Sequence, residues 1–247
     1  MNIKNYLDST YLKTAEQAKI SELVNEIIVK KNIQEAIDEG FRLIMICPKH
    51  VTLAKKMIDK TNSKLAIGTV IDFPLGMAST EEKLIQANKA ILDGADDLDF
   101  VCNYSAFKNG ELNLVKNEIF LCSKLGLENN KTVKWIIEVA ALTNMQIIQI
   151  SALIKNVIIK NFKEEKFNSV FVKSSTGFYK TDNNKSNGAT KESIILMLEN
   201  SFPLSVKASG GIKNLEEAKE YIRLGVKRIG TSSAKEIASG TLSNNDY

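Results

Sequence analysis

Two hydrophobic patterns alternate along this chain. Short apolar runs such as Leu43–Ile46 and Ser169–Val172 are typical of parallel strands that are covered on both faces. Between such runs, apolar residues recur every three or four positions, which predicts helices with one buried face. Two such stripes are Ile20, Leu23, Val24, Ile27 and Ile28, and Ile147, Ile150, Ile154, Val157 and Ile158. The alternation predicts a parallel sheet surrounded by helices.

Eight strands are predicted, with helical segments between them. They are Tyr6–Asp8, Leu43–Ile46, Leu65–Val70, Asp96–Val101, Val133–Glu138, Ser169–Val172, Leu204–Lys207 and Arg228–Gly230. An open doubly wound sheet is the rival, but the chain has neither a G-x-G-x-x-G nor a Walker A motif. Eight strands in 247 residues favour an α/β fold with a single (β/α)8 TIM barrel over residues 1–247. The polar end, Ser239–Tyr247, is expected to be a flexible tail.

Helix boundaries are also readable from short motifs. Capping-box spacing marks helix starts at Thr14…Gln17, Ser79…Glu82 and Thr143…Gln146, with a similar pair at Asn214…Glu217. Glycines that can adopt a left-handed conformation predict helix ends at Gly40, Gly94, Gly126 and Gly225.

Composition narrows the classes of protein. The net charge is +4, but basic and acidic residues are interspersed, so we expect no nucleic-acid partner. No apolar run reaches the length of about 18 residues that a membrane span needs. The first residues do not resemble a signal peptide, and the odd cysteine number (Cys47, Cys102, Cys122) indicates free thiols. A cytoplasmic protein is expected. The lone histidine, His50, is expected at the surface, in the loop after Cys47-Pro48.

Two lysines end neighbouring predicted strands, Lys173 on the sixth and Lys207 on the seventh. In a barrel the active site lies at this end of the strands, and adjacent strands lie about 5 Å apart. Repulsion and partial desolvation would leave one lysine as a neutral amine that can attack a carbonyl. Two other interpretations stay open at this point: both lysines point outwards, or both bind phosphate as simple cations.

Carboxylates are predicted inside the same barrel. Alternation places Asp97 and Asp99 on one face of the fourth strand. An inward carboxylate is costly unless it pairs with a cation or serves as an acid or base, and Asp99 is the better acid/base candidate. Asp97 is expected in an ion pair, and Asp8 could complement Lys207. Glu138 is a weaker candidate, with a structural ion pair as the favoured interpretation.

Small residues follow the last two predicted strands. Ser209-Gly210-Gly211 and Gly230-Thr231-Ser232-Ser233 could present backbone N–H groups to a phosphate, as the corresponding loops do in many barrels. The long polar segment Tyr179–Ala189 follows the sixth strand. It is either a surface loop or a mobile lid, and the sequence leaves both interpretations open.

These residues resemble those of the deoxyribose-phosphate aldolases. The resemblance spans nearly the whole chain and rests on four motifs: FVKSSTG at 171–177, KASGGI at 207–212, GADDLDFVCN at 94–103 and VKWIIEVAALT at 133–143. It implies a class I aldolase that reversibly cleaves 2-deoxy-D-ribose 5-phosphate to D-glyceraldehyde 3-phosphate and acetaldehyde. The partner would be a phosphorylated sugar, with no cofactor and no metal. The oligomeric state stays open, with a homo-oligomer among the expectations.

The same resemblance implies a role for each matching residue. Lys173 would form the Schiff base, Lys207 would depress its pKa, Asp99 would move protons and Asp8 would support the two lysines. The phosphate would be held by Thr176, Gly177, Gly210, Gly211, Gly230, Ser232 and Ser233. The chain departs from the family pattern at four positions, where Asp72 replaces a common glycine, Lys213 a common arginine, and Ser174 and Val139 common threonines.

Three rival functions remain. The nearest is another Schiff-base barrel, such as a transaldolase-like enzyme acting on a different sugar phosphate. A catalytically silent barrel that only binds an anionic sugar is the second. A nucleic-acid binder is the third, and only the net charge suggests it.

Overall fold

The structure is a computed structural model that describes residues 2–182 and 186–241. Eight parallel strands close into a barrel in chain order, and the last strand pairs with the first. The strands are β1 Leu7–Tyr11, β2 Leu43–Ile46, β3 Ala66–Ile71, β4 Asp97–Val101, β5 Thr132–Ile136, β6 Val170–Lys173, β7 Ser205–Ser209 and β8 Arg228–Thr231. The predicted (β/α)8 barrel is confirmed, and each predicted strand overlaps an observed one.

Helices connect consecutive strands around the outside of the barrel. They are α1 Ala15–Ala18, α2 Glu22–Glu39, α3 Val51–Ile58, α4 Thr80–Asp93, α5 Tyr104–Lys108, α6 Leu112–Glu128, α7 Asn144–Asn161, α8 Lys191–Ser201, α9 Leu215–Leu224 and α10 Ala234–Ser239. Short 3-10 turns lie at Ile3–Tyr6, Pro48–His50, Val139–Ala141 and Glu164–Ser169. No helix within the described ranges is long and apolar enough to cross a membrane.

Most of the predicted helix boundaries are confirmed. All three capping boxes form, and the Asn214 side chain accepts the N–H of Glu217. The prediction for Gly126 is wrong, because this glycine lies inside α6. A β-carbon there would come within 2.4 Å of the Val133 side chain, so the glycine allows the helix to approach β5 closely.

The apolar stripe predicted for α2 is also wrong. Leu23 is 71% exposed and Ile27 is 58% exposed, whereas the face toward the barrel is formed by Asn25, Val29, Ile33 and Ala36. Asn25 is buried because its side chain accepts a hydrogen bond from the Tyr11 hydroxyl at 2.6 Å. The spacing of apolar residues alone therefore predicts the wrong buried face for α2. The stripe predicted on α7 is buried as expected.

Two further predictions fail at the ends of elements. His50 is buried rather than at the surface, at the start of α3. The tail was predicted to begin at Ser239, but that residue is the last of α10, and 242–247 lie outside the described residues.

Strand alternation places charged residues inside the barrel. On β4, Asp97 and Asp99 face the interior, where both contact the Lys134 ammonium of β5. The intervening side chains point outwards, and Phe100 stacks on Trp135 beneath the helices with ring centroids 5.2 Å apart. The barrel interior is therefore charged at mid-height, and most of the hydrophobic core lies between the strands and the helices.

Candidate active site

A cavity of about 320 Å³ opens at the carboxyl ends of the strands. It is lined by Thr10, Leu12, Lys173, Thr176, Gly177, Asn187, Ser209, Gly210, Gly211, Ile212, Lys213, Gly230, Thr231 and Ser232. Most of these residues follow β6, β7 and β8, where the sequence predicted the site. Among the predicted catalytic residues, only Lys173 lines this cavity.

The two predicted lysines face the same interior space. Lys173 and Lys207 are register partners on β6 and β7. Their ammonium nitrogens lie 2.9 and 3.1 Å from one atom, Oδ2 of Asp99. The interpretation in which both lysines point outwards is therefore wrong. Lys173 reaches the cavity, while Lys207 and Asp99 are fully buried behind it.

Burial and like charge lower the pKa of Lys173 to about 8. Burial is the largest cause, the Asp99 carboxylate opposes it, and the Lys207 and Lys134 charges add to the lowering. Both expected causes, desolvation and repulsion by Lys207, lower the pKa of Lys173, and the charge of Lys207 is secondary to desolvation. A pKa near 8 leaves roughly one amine in ten unprotonated at neutral pH.

The neighbouring groups stay charged. Burial alone would lower the pKa of Lys207, but the carboxylates of Asp8 and Asp99 raise it above its ordinary value. Burial alone would raise the pKa of Asp99, yet the Lys134, Lys173 and Lys207 ammonium groups hold it well below its ordinary value. Lys207 is therefore an ammonium ion and Asp99 a carboxylate at neutral pH, which leaves Lys173 as the amine that can lose its proton.

Asp8 faces the barrel interior and pairs with Lys207. Its Oδ2 forms a 2.7 Å ion pair with Lys207, although the geometry falls short of a hydrogen bond. Its Oδ1 accepts a 2.8 Å hydrogen bond from Nε of Arg228. Burial works against its charge, but Arg228 and Lys207 keep the pKa of Asp8 below the ordinary value.

Asp97, Lys134 and Arg228 extend this network. Lys134 lies 2.6 Å from Oδ1 of Asp99 and 2.7 Å from Oδ2 of Asp97, so the predicted ion pair of Asp97 is confirmed. Nη2 of Arg228 donates to the same oxygen of Asp97 at 2.9 Å. The contacts close into a cycle of alternating charge that we call the charge ring: Asp8, Lys207, Asp99, Lys134, Asp97 and Arg228.

Sequence reasoning missed Lys134 and Arg228. Both lie in short strand segments, and alternation within Val133–Ile136 places Lys134 opposite in direction to Trp135. That alternation is visible in the sequence, but Lys134 lies away from the carboxyl end of its strand, where barrel active sites are expected. Arg228 opens β8 at the far end from the cavity, so no rule about the carboxyl ends of strands would find it.

Backbone glycines form one side of the cavity. Gly177, Gly210 and Gly211 have φ values of 80°, 84° and 77°, which L-residues with side chains rarely adopt. A β-carbon on Gly210 would also meet the backbone of Gly188 at 2.7 Å. Of the predicted phosphate residues, Thr176, Gly230 and Ser232 line the cavity too. Ser233 does not, because it is buried at the start of α10.

The segment after β6 is attached to the cavity at its second half. The Ser175 hydroxyl donates to the Asn187 carbonyl at 2.6 Å, and the Asn187 amide donates to the Gly177 carbonyl at 2.9 Å. The N–H of Ala189 bonds to the carbonyls of Ser209 and Gly210. These contacts form a cavity wall at 187–189. The segment 179–189, for which the sequence left a surface loop and a mobile lid open, includes 183–185, which lie outside the described residues.

Glu138 contacts the loop after β6 and forms no ion pair within the described residues. β5 ends before it, and its backbone is left-handed, with φ of 57°. Its carboxylate accepts hydrogen bonds from the Thr176 hydroxyl and, at 3.3 Å, from the Thr176 N–H. Burial raises the pKa of Glu138. The structural ion pair expected for it is wrong, and its contact orients a residue that lines the cavity.

None of the four departures from the family pattern supplies an ion-pair partner to Lys173 or Lys207 within the described residues, although the N–H of Ser174 donates to the Lys207 carbonyl at 3.1 Å. Asp72 has φ of 53° and its Oδ2 accepts the Ala78 N–H at 2.8 Å. Lys213 lines the cavity. The Ser174 hydroxyl donates to the Ser209 carbonyl and accepts its N–H, which ties β6 to β7. Val139 is buried.

The chain folds as a closed (β/α)8 barrel in which a buried lysine with a lowered pKa lies beside a glycine-rich cavity. These features define a class of enzyme, the barrels that act through a lysine amine. Comparison with models of known protein families finds no match. Curated relatives do match along the full length. The deoxyribose-phosphate aldolase of Thermococcus kodakarensis is 37% identical over 239 residues, covering 96% of each chain. That of Staphylococcus saprophyticus is 37% identical over 248 residues, covering 100% of each.

A solved structure agrees with these relatives. It is described as a unique tetrameric structure of the deoxyribose phosphate aldolase from Aeropyrum pernix. It has a TM-score of 0.75 and 26% identity, and covers 96% of this chain and 89% of the other. The chain belongs to the deoxyribose-phosphate aldolase family, as the resemblance of its motifs predicted.

Proposed function

We propose that this protein reversibly cleaves 2-deoxy-D-ribose 5-phosphate to D-glyceraldehyde 3-phosphate and acetaldehyde through a Schiff base on Lys173. The observation that carries the proposal is the position of Lys173, whose amine reaches the cavity while its pKa is lowered to about 8. The relatives in the family carry the name of this activity.

The chemistry begins with the neutral amine of Lys173. It adds to the C1 aldehyde, and loss of water gives a protonated imine. This cation withdraws electrons, so the C2–C3 bond can break as the C3 hydroxyl loses its proton. D-Glyceraldehyde 3-phosphate leaves, and the two remaining carbons form an enamine on Lys173. Protonation of the enamine carbon and hydrolysis of the imine then release acetaldehyde and regenerate the amine.

Asp99 is proposed to balance the imine charge and to relay protons. Its Oδ2 already lies 2.9 Å from the Lys173 nitrogen, so the carboxylate is in place when that nitrogen becomes a cation. Asp99 itself is fully buried and does not line the cavity. A proton from the C3 hydroxyl therefore reaches it through water. Lys207, held as an ammonium ion on the same oxygen, is the neighbouring proton donor.

The substrate phosphate is proposed to lie against the glycine side of the cavity. Backbone N–H groups near Gly177, Gly210 and Gly211, with the hydroxyl of Ser232, suit an anion. Lys213 adds a point charge there, where an arginine would offer two parallel donors. Ser233 is not part of the proposed phosphate site, because the cavity does not reach it.

The decisive experiment is borohydride reduction in the presence of acetaldehyde, followed by mass mapping. We expect a two-carbon adduct on Lys173, absent in Lys173→Ala. Activity in Lys173→Ala should fall by about 10⁴-fold or more. An adduct on another lysine, or none, would refute the mechanism. Cleavage of a ketose phosphate but not of 2-deoxy-D-ribose 5-phosphate would support the transaldolase-like alternative.

We further propose a single domain over 1–247, a cytoplasmic location and a homo-oligomeric state. One closed barrel from β1 to β8 supports the first. Phosphorylated substrates and three free cysteines suit a reducing compartment. The tetrameric relative from Aeropyrum pernix supports the third. Light scattering after size exclusion measures the oligomeric state, and a monomer mass would end that part of the proposal.

A further inference from the structure

The charge ring joins the lysines of the proposed site to groups at the opposite end of the barrel. Six ion pairs of 3.1 Å or less close it, and each member contacts two neighbours of opposite charge. Its carboxylates and cations are equal in number, so the ring has no formal net charge. All six residues are at least 95% buried, so solvent screens these charges only weakly.

Lys173 is attached to this ring as one extra cation. Its ion pair within the described residues is with Asp99, on an oxygen that already serves Lys207. The buried assembly is therefore neutral when Lys173 is an amine and positive when Lys173 is an ammonium ion. A buried net charge is unfavourable, so the charge balance of the whole ring favours the neutral amine form of Lys173.

We infer that Asp97, Lys134 and Arg228, which do not touch the cavity, are positioning residues that make Lys173 the lysine that loses its proton. Arg228 and Lys134 both contact Oδ2 of Asp97, and Lys134 also donates to Oδ1 of Asp99. Lys173 and Lys207 therefore share the other oxygen of Asp99, Oδ2. Lys207 has Asp8 as a second ion-pair partner, whereas Lys173 has no second one in the part of the chain that the structure describes. This inference deepens the proposed function and rests on it for its importance to catalysis.

Other charged groups near Lys173 do not alter this comparison. Glu138 faces it from the end of β5, but its carboxylate is hydrogen-bonded to Thr176 and belongs to no pair in the ring. Arg42 lies beyond Arg228 at the amino ends of the strands, where it is exposed to water. Both groups stay the same in every variant proposed below, so they cancel in the differences.

The ring predicts opposite effects for two substitutions. Lys134→Met removes a cation, and the ring becomes negative, so Lys173 should hold its proton up to a pH about one unit higher. Asp97→Asn removes an anion, so Lys173 should lose its proton about half a unit lower. The double variant restores the formal charge balance of the ring, and its Lys173 titration should lie between those of the two single variants, about half a unit above the unaltered protein. A purely structural role for these residues predicts no such reversal of sign.

The variants should still fold because each charged residue of the ring keeps at least one partner of opposite charge after either substitution. Without Lys134, Asp97 keeps Arg228 and Asp99 keeps Lys207 and Lys173. Without the Asp97 charge, Lys134 keeps Asp99 and Arg228 keeps Asp8. Lys134→Arg is the matched control, since it retains the charge and should leave the titration of Lys173 near its original position.

The measurement is trace acetylation with acetic anhydride from pH 6 to 11, with the labelling of Lys173 quantified by mass spectrometry. Labelling follows the unprotonated amine and does not require aldolase activity, so it decides the inference even if borohydride traps no imine. Shifts of opposite sign in the two single variants, with the double variant between them, are the expected result. Shifts of the same sign, no shift, or an ordinary lysine titration in the unaltered protein would overturn it.

Discussion

The barrel contains two buried lysine clusters, and their difference shows what makes a lysine reactive. Lys83 is fully buried outside the cavity and donates to Glu118 at 2.6 Å and to the carbonyls of Val101 and Gly76 at 2.8 and 3.2 Å. Asp72 lies 3.4 Å away. We call Lys83, Glu118 and Asp72 the Lys83 cluster. Lys173 is buried almost as deeply, yet it shares a single carboxylate oxygen with another ammonium group.

The two lysines differ in their acceptors. Each hydrogen of the Lys83 ammonium has an oxygen acceptor, so the hydrogen-bonding capacity of this group is filled. Among the described residues, Lys173 donates to Asp99 alone, and the ammonium groups of Lys207 and Lys134 lie close to it. The Lys83 cluster holds the loops after β3 and β4 in place. At Lys173, by contrast, the protein stabilises the ammonium form less well, at the position where the proposed mechanism needs a reactive nitrogen.

The largest difference is expected in stability. Lys83→Met leaves Glu118 buried without its cation and should lower the free energy of unfolding by about 3–5 kcal/mol. Lys173→Met removes surplus positive charge, and Asp99 keeps Lys134 and Lys207, so at pH 7 we expect no loss of stability. Urea unfolding measures both.

The control for this comparison is Lys83→Met combined with Glu118→Gln. Neutralising the stranded carboxylate should recover about 2 kcal/mol. Folded Lys83→Met should still form the imine on Lys173 with acetaldehyde. If Lys83→Met and Lys173→Met cost the same, the contrast between the two clusters is wrong.

The second effect concerns stability as a function of pH. The pKa of Lys173 falls from 10.5 to about 8 on folding, so between these values the unfolded chain binds more protons and stability rises with pH. The destabilisation is complete below pH 8 and disappears above about pH 10.5, a change of about 3 kcal/mol. The difference between the unaltered protein and Lys173→Met isolates this group from other titrating residues. A constant difference from pH 7 to 10 would contradict the lowered pKa.

The third effect is kinetic. Lys207→Leu removes a like charge from Lys173, whose pKa should rise, so imine formation with acetaldehyde at pH 7 should slow about tenfold. Asp8 keeps Arg228 and Asp99 keeps Lys134, so the fold should persist. The deficit should shrink to about twofold at pH 9, where most of the amine in the unaltered protein and about half of that in the variant is unprotonated. An unchanged rate at pH 7 would show that the two lysines are not coupled.

The same contrast explains how far the sequence could be interpreted. Strand and helix alternation predicted the barrel, and motif spacing placed Lys173, Lys207 and Asp99 together. These features depend on local period and on the common geometry of barrel strands. The partners of each lysine depend on residues far apart in the chain. Arg228 meets Asp8 across 220 positions, and no local pattern predicts that contact.

The failed predictions have the same physical origin. Leu23 and Ile27 fit a buried stripe by spacing, but the register of α2 on the barrel turns Asn25 inward because Tyr11 supplies its hydrogen bond. Gly126 fits a helix end, but close packing against Val133 requires a glycine inside the helix. In both cases a tertiary contact decides between two choices that are equally acceptable locally.

The smallest effect tests the outer member of the Lys83 cluster. Asp72→Gly removes the hydrogen bond to the Ala78 N–H but relieves a left-handed backbone, and each change is about 1 kcal/mol in opposite directions. We expect the free energy of unfolding to change by less than about 1 kcal/mol and cleavage activity by less than about twofold.

Asp72→Ala is the matched control, because it loses the hydrogen bond and keeps the strain, so it should be less stable than the glycine variant by about 1 kcal/mol. Thermal and urea unfolding compare the two. Lys83 keeps Glu118 and two carbonyls in either variant, so a large loss would show that Asp72 is needed to hold the ammonium group after all.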